Sequence, residues 1–302
     1  MTRPHRVAIG IKTSPQDTDW ATLDAAWARI GEHDVFESAW VNDHLTNARD
    51  ARGGASLEAL TTLAALAHHV PDKWLGIAVL SATFRHPAVL AKQLTVLDHV
   101  TGGRLIVGLG AGWHDPEHLA FGIPFPPIVE RFDRFESALG VIQALFSDAA
   151  RNLPGVTRPD PFYPLDGATN EPGTLTPGGP PIWLGGQRRR GIDLAARYAR
   201  GWITPHLLPG GRTDRLPYFI ELRGRLLGRM EEIGRDPTGF EFAIQVPTGA
   251  SAESCRDGLR LALDAAQAGA THIVLSMPAA LGAAGIDMVA SELANPLREA
   301  LG

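Results

Sequence analysis

The sequence is poor in cysteine: its 302 residues contain a single one, Cys255. A disulfide framework within the chain is therefore excluded, which favours a reducing compartment. Cys255 lies in a stretch with helical spacing, "ESCRDGLRLAL". We expect it to be a structural residue rather than a nucleophile.

Long apolar runs and an excess of basic charge are also missing. No stretch approaches the ~20 apolar residues of a membrane-spanning helix, and the N-terminus lacks an apolar run of signal-peptide length. The formal net charge of −5 offers no basic surface for nucleic acid. With 44% apolar and 20% charged residues, we expect a globular, cytoplasmic protein that binds neither nucleic acid nor membranes.

Several catalytic motifs are absent as well. The sequence has no G-x-S-x-G, no Walker motif and no C-x-x-C, and a dinucleotide fingerprint would need glycine where Trp113 stands. His114 and His118 are four residues apart, but the pattern is not H-E-x-x-H, and Pro116 interrupts any helix there. We therefore expect no metal site.

What the sequence does contain is a regular alternation. Short apolar runs rich in Val, Ile, Leu and Trp are each followed by a stretch with helical spacing. Continuous apolar runs are typical of parallel strands covered by helices on both faces. Eight such units predict a (β/α)8 TIM barrel as a single domain over 1–302, with a doubly wound open sheet as the alternative. The predicted strands are 6–13, 35–42, 74–82, 104–112, 180–186, 202–207, 240–247 and 272–278.

One segment breaks the rhythm between the fourth and fifth units. Residues 149–180 are rich in Pro and Gly and show neither period. Such a long irregular connection is usually functional or mobile. The sequence leaves open whether this insertion is a lid or wall of the site, or a solvated surface segment.

Polar residues end the second predicted strand, where TIM barrels gather their functional groups. "AWVNDHL" places Asn42, Asp43 and His44 there. His44 is the side chain that exchanges a proton near neutral pH without a large pKa shift, and Asp43 could orient it or contact a ligand. The alternative is that Asp43 caps a turn and His44 is partly exposed. After the third strand, Ser81 offers a hydroxyl, and we expect His86 to open a helix.

Alternating glycines mark the end of the fourth strand. Gly108, Gly110 and Gly112 would face the same side of an extended strand, just before Trp113. Glycine in a strand often marks the close approach of a ligand or of another backbone. If that side faces the barrel, the missing side chains leave a flat floor for a planar ring.

The fifth and sixth strands end in further candidates. Gly185 and Gly186 precede "QRRRG", where backbone N–H groups at a helix start could bind a phosphate with Gln187 and Arg188. A glycine-rich turn with solvated arginines is the alternative. His206 follows the sixth strand and is either a substrate contact or exposed to solvent.

Together these segments resemble the bacterial-luciferase-like flavin and deazaflavin enzymes. The stretch "SATFRHPAVLAKQLTVLDHVTGGRLIVGLGAGWHDPEHLAFGIPF" is similar to the family block R-H-P-x-x-x-A-K, L-D, G-G-R, G-x-G-x-G-W, E, F-G. "PPIWLGGQRRRGIDLAARYARGW" is similar to its second block, and "WVNDHL" to its D-H element. The matching residues of the first block are Arg85, His86, Pro87, Ala91, Lys92, Leu97, Asp98, Gly102, Gly103, Arg104, Gly108, Gly110, Gly112, Trp113, Glu117, Phe121 and Gly122.

The resemblance implies a TIM barrel that binds FMN or the deazaflavin coenzyme F420 at its carboxyl-terminal mouth. The ring would lie against the third and fourth strands, supported by a non-proline cis peptide that matches Ala78–Val79. The cofactor phosphate would lie near Gly185 and Gly186. His44 would be the active-site histidine of the deazaflavin-dependent members.

Two departures from the family pattern limit what is implied. The family's D-G-W is replaced by Arg200-Gly201-Trp202. Some members that oxidise sugar phosphates carry a catalytic Glu after the glycines of the fourth strand, where this chain has Trp113. That difference argues against oxidation of a sugar hydroxyl by their mechanism.

The leading hypothesis is an F420-dependent oxidoreductase that transfers hydride between the cofactor and a small organic substrate. The alternatives are an FMN-dependent monooxygenase, supplied by a separate reductase and using molecular oxygen, and a non-catalytic flavin-binding barrel. A homodimer is expected from the resemblance. The predicted site residues are His44 and Asp43 (catalytic); Asn42, Ala78, Val79, Ser81, Gly110, Gly112, Trp113, Gly185, Gly186, Gln187 and Arg188 (cofactor); and His206 and Trp113 (substrate).

Overall fold

Eight parallel strands form a closed barrel in the computed structural model, which describes residues 6–47 and 54–302. The cyclic order is β1-β2-β3-β4-β7-β8-β9-β10, so the predicted TIM barrel is confirmed and the open sheet is not formed. The strands are β1 Ala8–Thr13, β2 Ser38–Val41, β3 Trp74–Ser81, β4 Leu105–Gly110, β5 Val156–Arg158, β6 Leu165–Ala168, β7 Ile182–Leu184, β8 Gly201–Ile203, β9 Glu241–Pro247 and β10 His272–Met277.

Helices follow the barrel strands and cover them from outside. They are α1 Trp20–Gly31, α2 Ala59–Leu66, α3 Pro87–Val100, α4 Asp115–Ala120, α5 Ile128–Phe146, α6 Arg189–Tyr198, α7 Arg215–Glu232, α8 Ala252–Gln267, α9 Gly282–Val289 and α10 Asn295–Leu301. His86 caps α3 through its Nδ1, which accepts from Ala88 N (3.3 Å), so its predicted role as a helix start is confirmed. No helix of the described ranges has the length and apolarity needed to cross a membrane.

Large and small residues complement each other inside the barrel. The indoles of Trp40 and Trp183 lie 5.4 Å apart, and both meet the ring of His272 edge-on. A Cβ at Gly76 would overlap the ring of Trp40, and one at Gly201 would lie 2.6 Å from Trp183 Nε1. Two strands therefore lack side chains where two tryptophans fill the barrel.

The segment 149–180 is more ordered than its composition suggests. β5 and β6 pair as an antiparallel two-stranded sheet, so the expectation of a wholly irregular insertion is wrong. Asn170 donates to the carbonyl of Leu145 (3.0 Å), and Thr176 donates to Asp98 (2.8 Å), which fixes the segment to α5 and α3. Composition missed this hairpin because short strands between prolines carry little periodicity.

Candidate active site

The barrel mouth has two unlike halves. Side chains of successive strand residues alternate, so residues two positions beyond the inner tryptophan layer face the mouth. On β1, β2, β9 and β10 these residues are Lys12, Asn42, Gln245 and Ser276, which we call the polar half. On β4 and β7 they are glycines, Gly108, Gly110 and Gly185, which we call the glycine half.

The glycine half surrounds one side chain of β3. A Cβ at Gly110 would lie 3.1 Å from a methyl of Val79, and one at Gly185 would lie 3.6 Å from it. The β3–β4 register shifts between Ile77 and Leu80, and the Ala78–Val79 peptide bond is cis, as the resemblance implied. The floor of the mouth is therefore not bare backbone: the glycines make room for a bulge whose half-buried Val79 forms a flat apolar platform.

Beside this platform, Ser81 begins a chain of hydrogen bonds. Its hydroxyl lies 2.6 Å from Thr83 Oγ1, which lies 2.6 Å from His118 Nε2. His118 Nδ1 donates to the carbonyl of His114 (2.7 Å). Both ring nitrogens of the buried His118 thus form hydrogen bonds within the fold. The backbone of Gly112 lies so close to Ser81 that a Cβ there would be 2.9 Å from Ser81 Oγ.

His44 is paired with a carboxylate from α4. Its Nδ1 lies 3.0 and 3.2 Å from the two oxygens of Glu117, which also accepts from Leu45 N (3.0 Å). A carboxylate only accepts, so Nδ1 carries the proton and Nε2 is the acceptor of the neutral ring. Glu117 therefore fixes the tautomer of His44, as the buried carboxylate does for histidine in a catalytic triad.

The charge of Glu117 is maintained although its side chain is only 2% exposed. Burial alone would raise the pKa of Glu117, but the hydrogen bond from His44, its charge and the Leu45 N–H together hold that pKa below its ordinary value. Glu117 therefore faces His44 as a carboxylate.

Trp113 forms a wall beside His44. The two rings meet edge-on with centroids 5.7 Å apart, and 58% of Trp113 is exposed. His114 lies 6.2 Å from His44, and burial lowers the pKa of His114. An exposed indole next to the proposed proton carrier suits contact with an apolar part of a ligand.

Asp43 is held by an arginine and by a backbone N–H group. It is buried, accepts two hydrogen bonds from Arg85 (2.7 and 2.9 Å), and accepts a third from Ser81 N (3.0 Å). Arg85 also bonds to Glu58, the N-cap of α2. With both oxygens occupied, Asp43 joins the ends of β2 and β3 and positions His44, while its catalytic role stays a prediction.

Asn42 is held by an amide chain. Gln16 Nε2 donates to the carbonyl of Thr46 (2.5 Å), and Gln16 Oε1 accepts from Asn42 Nδ2 (2.9 Å). Asn42 Oδ1 is therefore an acceptor, and it is buried without a hydrogen-bond partner among the described residues. A buried unsatisfied acceptor at a barrel mouth is typical of a site that awaits a donor.

The predicted phosphate cradle is only partly suited to its role. A Cβ at Gly186 would lie 2.6 Å from the backbone of Gly191, so this glycine serves the packing of α6. Gln187 accepts from Tyr218 (2.6 Å), and Arg188 is exposed at the N-cap of α6. Phosphate binding at Gly185–Arg188 remains a prediction.

His206 is half-buried in the loop after β8. Its carbonyl accepts from Arg215 Nη2 (2.5 Å), which fixes the backbone of this loop near the mouth. A substrate contact by His206 remains a prediction.

A cavity of about 410 Å³ lies beside the glycine half, between the loops after β3 and β4. Its lining includes Thr83, Phe125, Arg131 and Tyr163. The guanidinium of Arg131 lies 3.7 Å over the ring of Phe125 and donates to the carbonyl of Pro126 (3.2 Å). Its buried Nε has no hydrogen-bond partner among the described residues. Glu130 also lines the cavity, but it is paired with Arg134 (2.7 Å).

Burial lowers the pKa of Arg131, with Asp115 acting in the opposite direction. A guanidinium stays charged in proteins even so. The cavity therefore combines a fixed positive charge, aromatic walls and a volume typical of ligand pockets, which suits an anionic group.

Sequence reasoning missed Arg131 and the pairing of Glu117. Arg131 carried no signal, because a single arginine in a helical pattern resembles any solvated face. Glu117 had one: it belongs to the family block, but its distance of 73 residues from His44 gave no hint of contact.

Residues 11–284 match the sequence profile of a family described as "Luciferase-like monooxygenase". The chain belongs to this luciferase-like family. Members of such a family are oxidoreductases, and the mouth of the barrel described above is where a family member's chemistry would be expected.

Curated relatives within this luciferase-like family carry specific names. An F420-dependent glucose-6-phosphate dehydrogenase of Beutenbergia cavernae is 28% identical over 337 residues, covering 96% of this chain and 97% of the relative. A phthiodiolone/phenolphthiodiolone dimycocerosates ketoreductase of Mycobacterium tuberculosis is 32% identical over 185 residues, covering 55% of this chain and 46% of the relative.

Solved structures share the luciferase-like barrel. An F420-dependent secondary alcohol dehydrogenase in complex with an F420-acetone adduct superposes with a TM-score of 0.74 at 19% identity, covering 97% of this chain and 99% of that one. A monooxygenase from Streptomyces bottropensis superposes with a TM-score of 0.76 at 18% identity, covering 98% and 100%. At such low identity the likeness supports the fold alone.

The mouth fits a planar cofactor with an anionic tail. Val79 and the surrounding glycines offer a flat apolar surface, and a Cβ at Gly110 would press into it. The cavity beside this surface holds the buried charge of Arg131. Thr83 and Ala111, which line the cavity, would therefore lie between a ring on Val79 and an anion at Arg131.

Proposed function

We propose that this chain is an F420-dependent oxidoreductase that moves a hydride between the deazaflavin and a small alcohol or carbonyl compound. The observation that carries the proposal is the His44–Glu117 pair at the same barrel mouth as the Val79 platform. The relatives named as F420-dependent enzymes, one of them matching almost the full chain, agree with this choice of cofactor. When bound, the cofactor supplies hydride donation or acceptance at its ring.

His44 handles the proton that accompanies the hydride. Oxidation of an alcohol releases the hydroxyl proton, and Nε2 of His44 is the acceptor for it; reduction of a carbonyl reverses the step. Glu117 keeps Nδ1 protonated and stabilises the charged ring. Trp113 excludes water on one side and contacts the substrate, and Asp43 holds the strand end from which His44 projects.

The anionic part of the cofactor binds in the cavity at Arg131. Its guanidinium is buried and preoriented on Phe125, whereas Arg188 is exposed and Arg190 already donates to Val129 (3.1 Å). Charge-assisted bonds from a fixed guanidinium are stronger than those from a mobile surface residue. Thr83 and Ala111, which line this cavity, then lie between the ring and the anion.

A sugar phosphate is not assigned as the substrate. Trp113 stands where sugar-oxidising members have their glutamate, yet Glu117 brings a carboxylate to the same histidine from α4. The site therefore does contain a carboxylate. The presence of Trp113 in place of that glutamate does not by itself exclude alcohols as substrates. The exposed indole of Trp113 favours a substrate with apolar surface.

Deuterium labelling tests the reaction. The protein is incubated with reduced F420 that carries deuterium at C5 and with a panel of small ketones and aldehydes. We expect deuterium at the carbinol carbon of the product, and we expect His44→Ala to oxidise the reduced cofactor about 10²-fold more slowly. A product without deuterium, or oxygen consumption with FMN in its place, would contradict the proposal.

Oligomeric state, location and a partner enzyme also belong to this proposal. A homodimer, a cytoplasmic location and a separate enzyme that regenerates the reduced cofactor are consistent with the proposed reaction. Sedimentation of the purified protein measures the first of these.

A further inference from the structure

The polar half of the mouth contains a buried cation that the proposed proton chemistry does not use. Lys12 is 4% exposed, and Nζ donates to Gln245 Oε1 (2.5 Å). Gln245 Nε2 in turn donates to the carbonyl of Thr204 (2.7 Å). A carbonyl only accepts, so the amide orientation is fixed, and Gln245 offers its oxygen to the ammonium.

Lys12 faces the barrel interior and not the helices. Its neighbours Ile9 and Ile11 belong to the layer between strands and helices, so alternation turns Gly10 and Lys12 inward. A Cβ at Gly10 would lie 2.7 Å from the inner Trp40 Nε1. Lys12 is one layer closer to the carboxyl ends than Gly10, which places its ammonium at the floor of the mouth.

The floor is therefore electrically asymmetric. The glycine half is apolar around Val79, whereas the polar half holds the buried Lys12 in one layer with Gln245, Ser276 and Asn42. Charges in such a water-poor interior act over longer distances than at the surface. A charge fixed by a hydrogen bond also needs no reorganisation when a reaction changes the charge above it.

We propose that Lys12 is an electrostatic residue of the site, which stabilises the negative charge that a hydride brings to the cofactor side of the mouth. The inference rests on the proposed function. A hydride carries two electrons and one proton, so the substrate's C–H bond breaks, a C–H bond forms at the ring, and one negative charge moves with it. His44 takes the substrate's hydroxyl proton, and Lys12 keeps its own.

Binding of the two cofactor states tests this role without turnover. Dissociation constants for oxidised and for reduced F420 are measured with wild type, Lys12→Met and Lys12→Gln. We expect both variants to weaken binding of the reduced state by about tenfold or more relative to the oxidised state. Lys12→Gln can still form a hydrogen bond to Gln245, so it supplies the same measurement if Lys12→Met folds poorly.

Lys73 provides a matched control. It is also a buried lysine, but it lies before β3 at the opposite end of the barrel, where Nζ donates to the carbonyls of His33 and Phe36 (both 2.9 Å). Lys73→Met should lower the melting temperature and leave the ratio of the two dissociation constants unchanged. Lys12→Arg should preserve the ratio because it preserves the charge.

The outcomes separate the two proposals. If wild type binds F420 and the ratio is unchanged in Lys12→Met and Lys12→Gln, the role of Lys12 is contradicted while the proposed function stands. A change of the ratio in Lys73→Met of the same size would also contradict it. If wild type binds neither state of F420, the proposed function fails, and this inference fails with it.

Discussion

At the scale of single residues, His44 is the centre of the account. Its Nδ1 is occupied by Glu117, so Nε2 is the atom through which the ring can exchange a proton with a ligand. We expect His44→Ala to bind F420 within about threefold of wild type but to turn over about 10²-fold more slowly, the usual scale of general acid–base help. Cofactor titration and initial rates measure the two effects.

His114→Ala is the matched control for this experiment. Its ring lies 6.2 Å from that of His44, whereas Glu117 bonds to His44 and to Leu45 N. Its removal should change turnover only a few-fold. A large loss of turnover in His114→Ala, with near-normal turnover in His44→Ala, would contradict the assignment of proton transfer to His44.

Glu117 gives the site a defined pH dependence. Because its folded pKa is held below the ordinary value of 4.5, the carboxylate contributes stability that is complete above that value and is lost as the pH falls through the folded pKa. We expect Glu117→Gln to lower the free energy of unfolding by about 1–3 kcal/mol at pH 7. That difference should shrink at about pH 4 and below in urea denaturation; an equal difference at both pH values would contradict the assignment.

At the scale of elements, two helices are alternative binding sites for the cofactor's anionic group. α5 presents the buried Arg131, whereas α6 presents the exposed Arg188 after the Gly185–Gly186 turn. We expect Arg131→Met to weaken F420 binding about 10- to 100-fold, the scale of a charge-assisted hydrogen bond, and Arg188→Met to weaken it less than threefold. Titrations of both variants at one salt concentration measure these losses of affinity. A larger loss in Arg188→Met than in Arg131→Met would indicate that the phosphate binds at the Gly185–Gly186 turn.

The elements also show where sequence reasoning succeeds. Each barrel strand was predictable from an apolar run, because strands buried on both faces lack polar alternation. The helix start at His86–Pro87 followed from proline's fixed φ and missing N–H. The β5–β6 hairpin was not predictable, since strands of three and four residues between prolines and glycines carry no period. The helix α4 was excluded because of Pro116, yet proline is tolerated in the first helical turn, where it stands.

The site was predictable only in part, for a reason of distance along the chain. His44, Ser81 and the glycines of β4 lie at strand ends, and a barrel brings strand ends together. The partners that define their roles lie far away along the chain: Glu117 for His44, Arg85 for Asp43, and Gln245 for Lys12. No local pattern encodes such pairs.

At the scale of the whole molecule, the barrel separates stability from chemistry. Its amino-terminal end and middle are filled by tryptophans packed against glycines. Its carboxyl-terminal end holds the His44–Glu117 pair, the Val79 platform, the Arg131 cavity and the buried Lys12. This arrangement follows the general division of TIM barrels between a stabilising face and a functional face.

A paired cofactor titration tests whether this mouth binds F420 to transfer hydride. The apo-protein is titrated with F420 and with FMN under the same conditions, with binding followed by the absorbance and fluorescence of each cofactor. We predict a micromolar or tighter dissociation constant for F420 and binding of FMN at least about tenfold weaker. Micromolar binding of FMN with no binding of F420 would contradict the account.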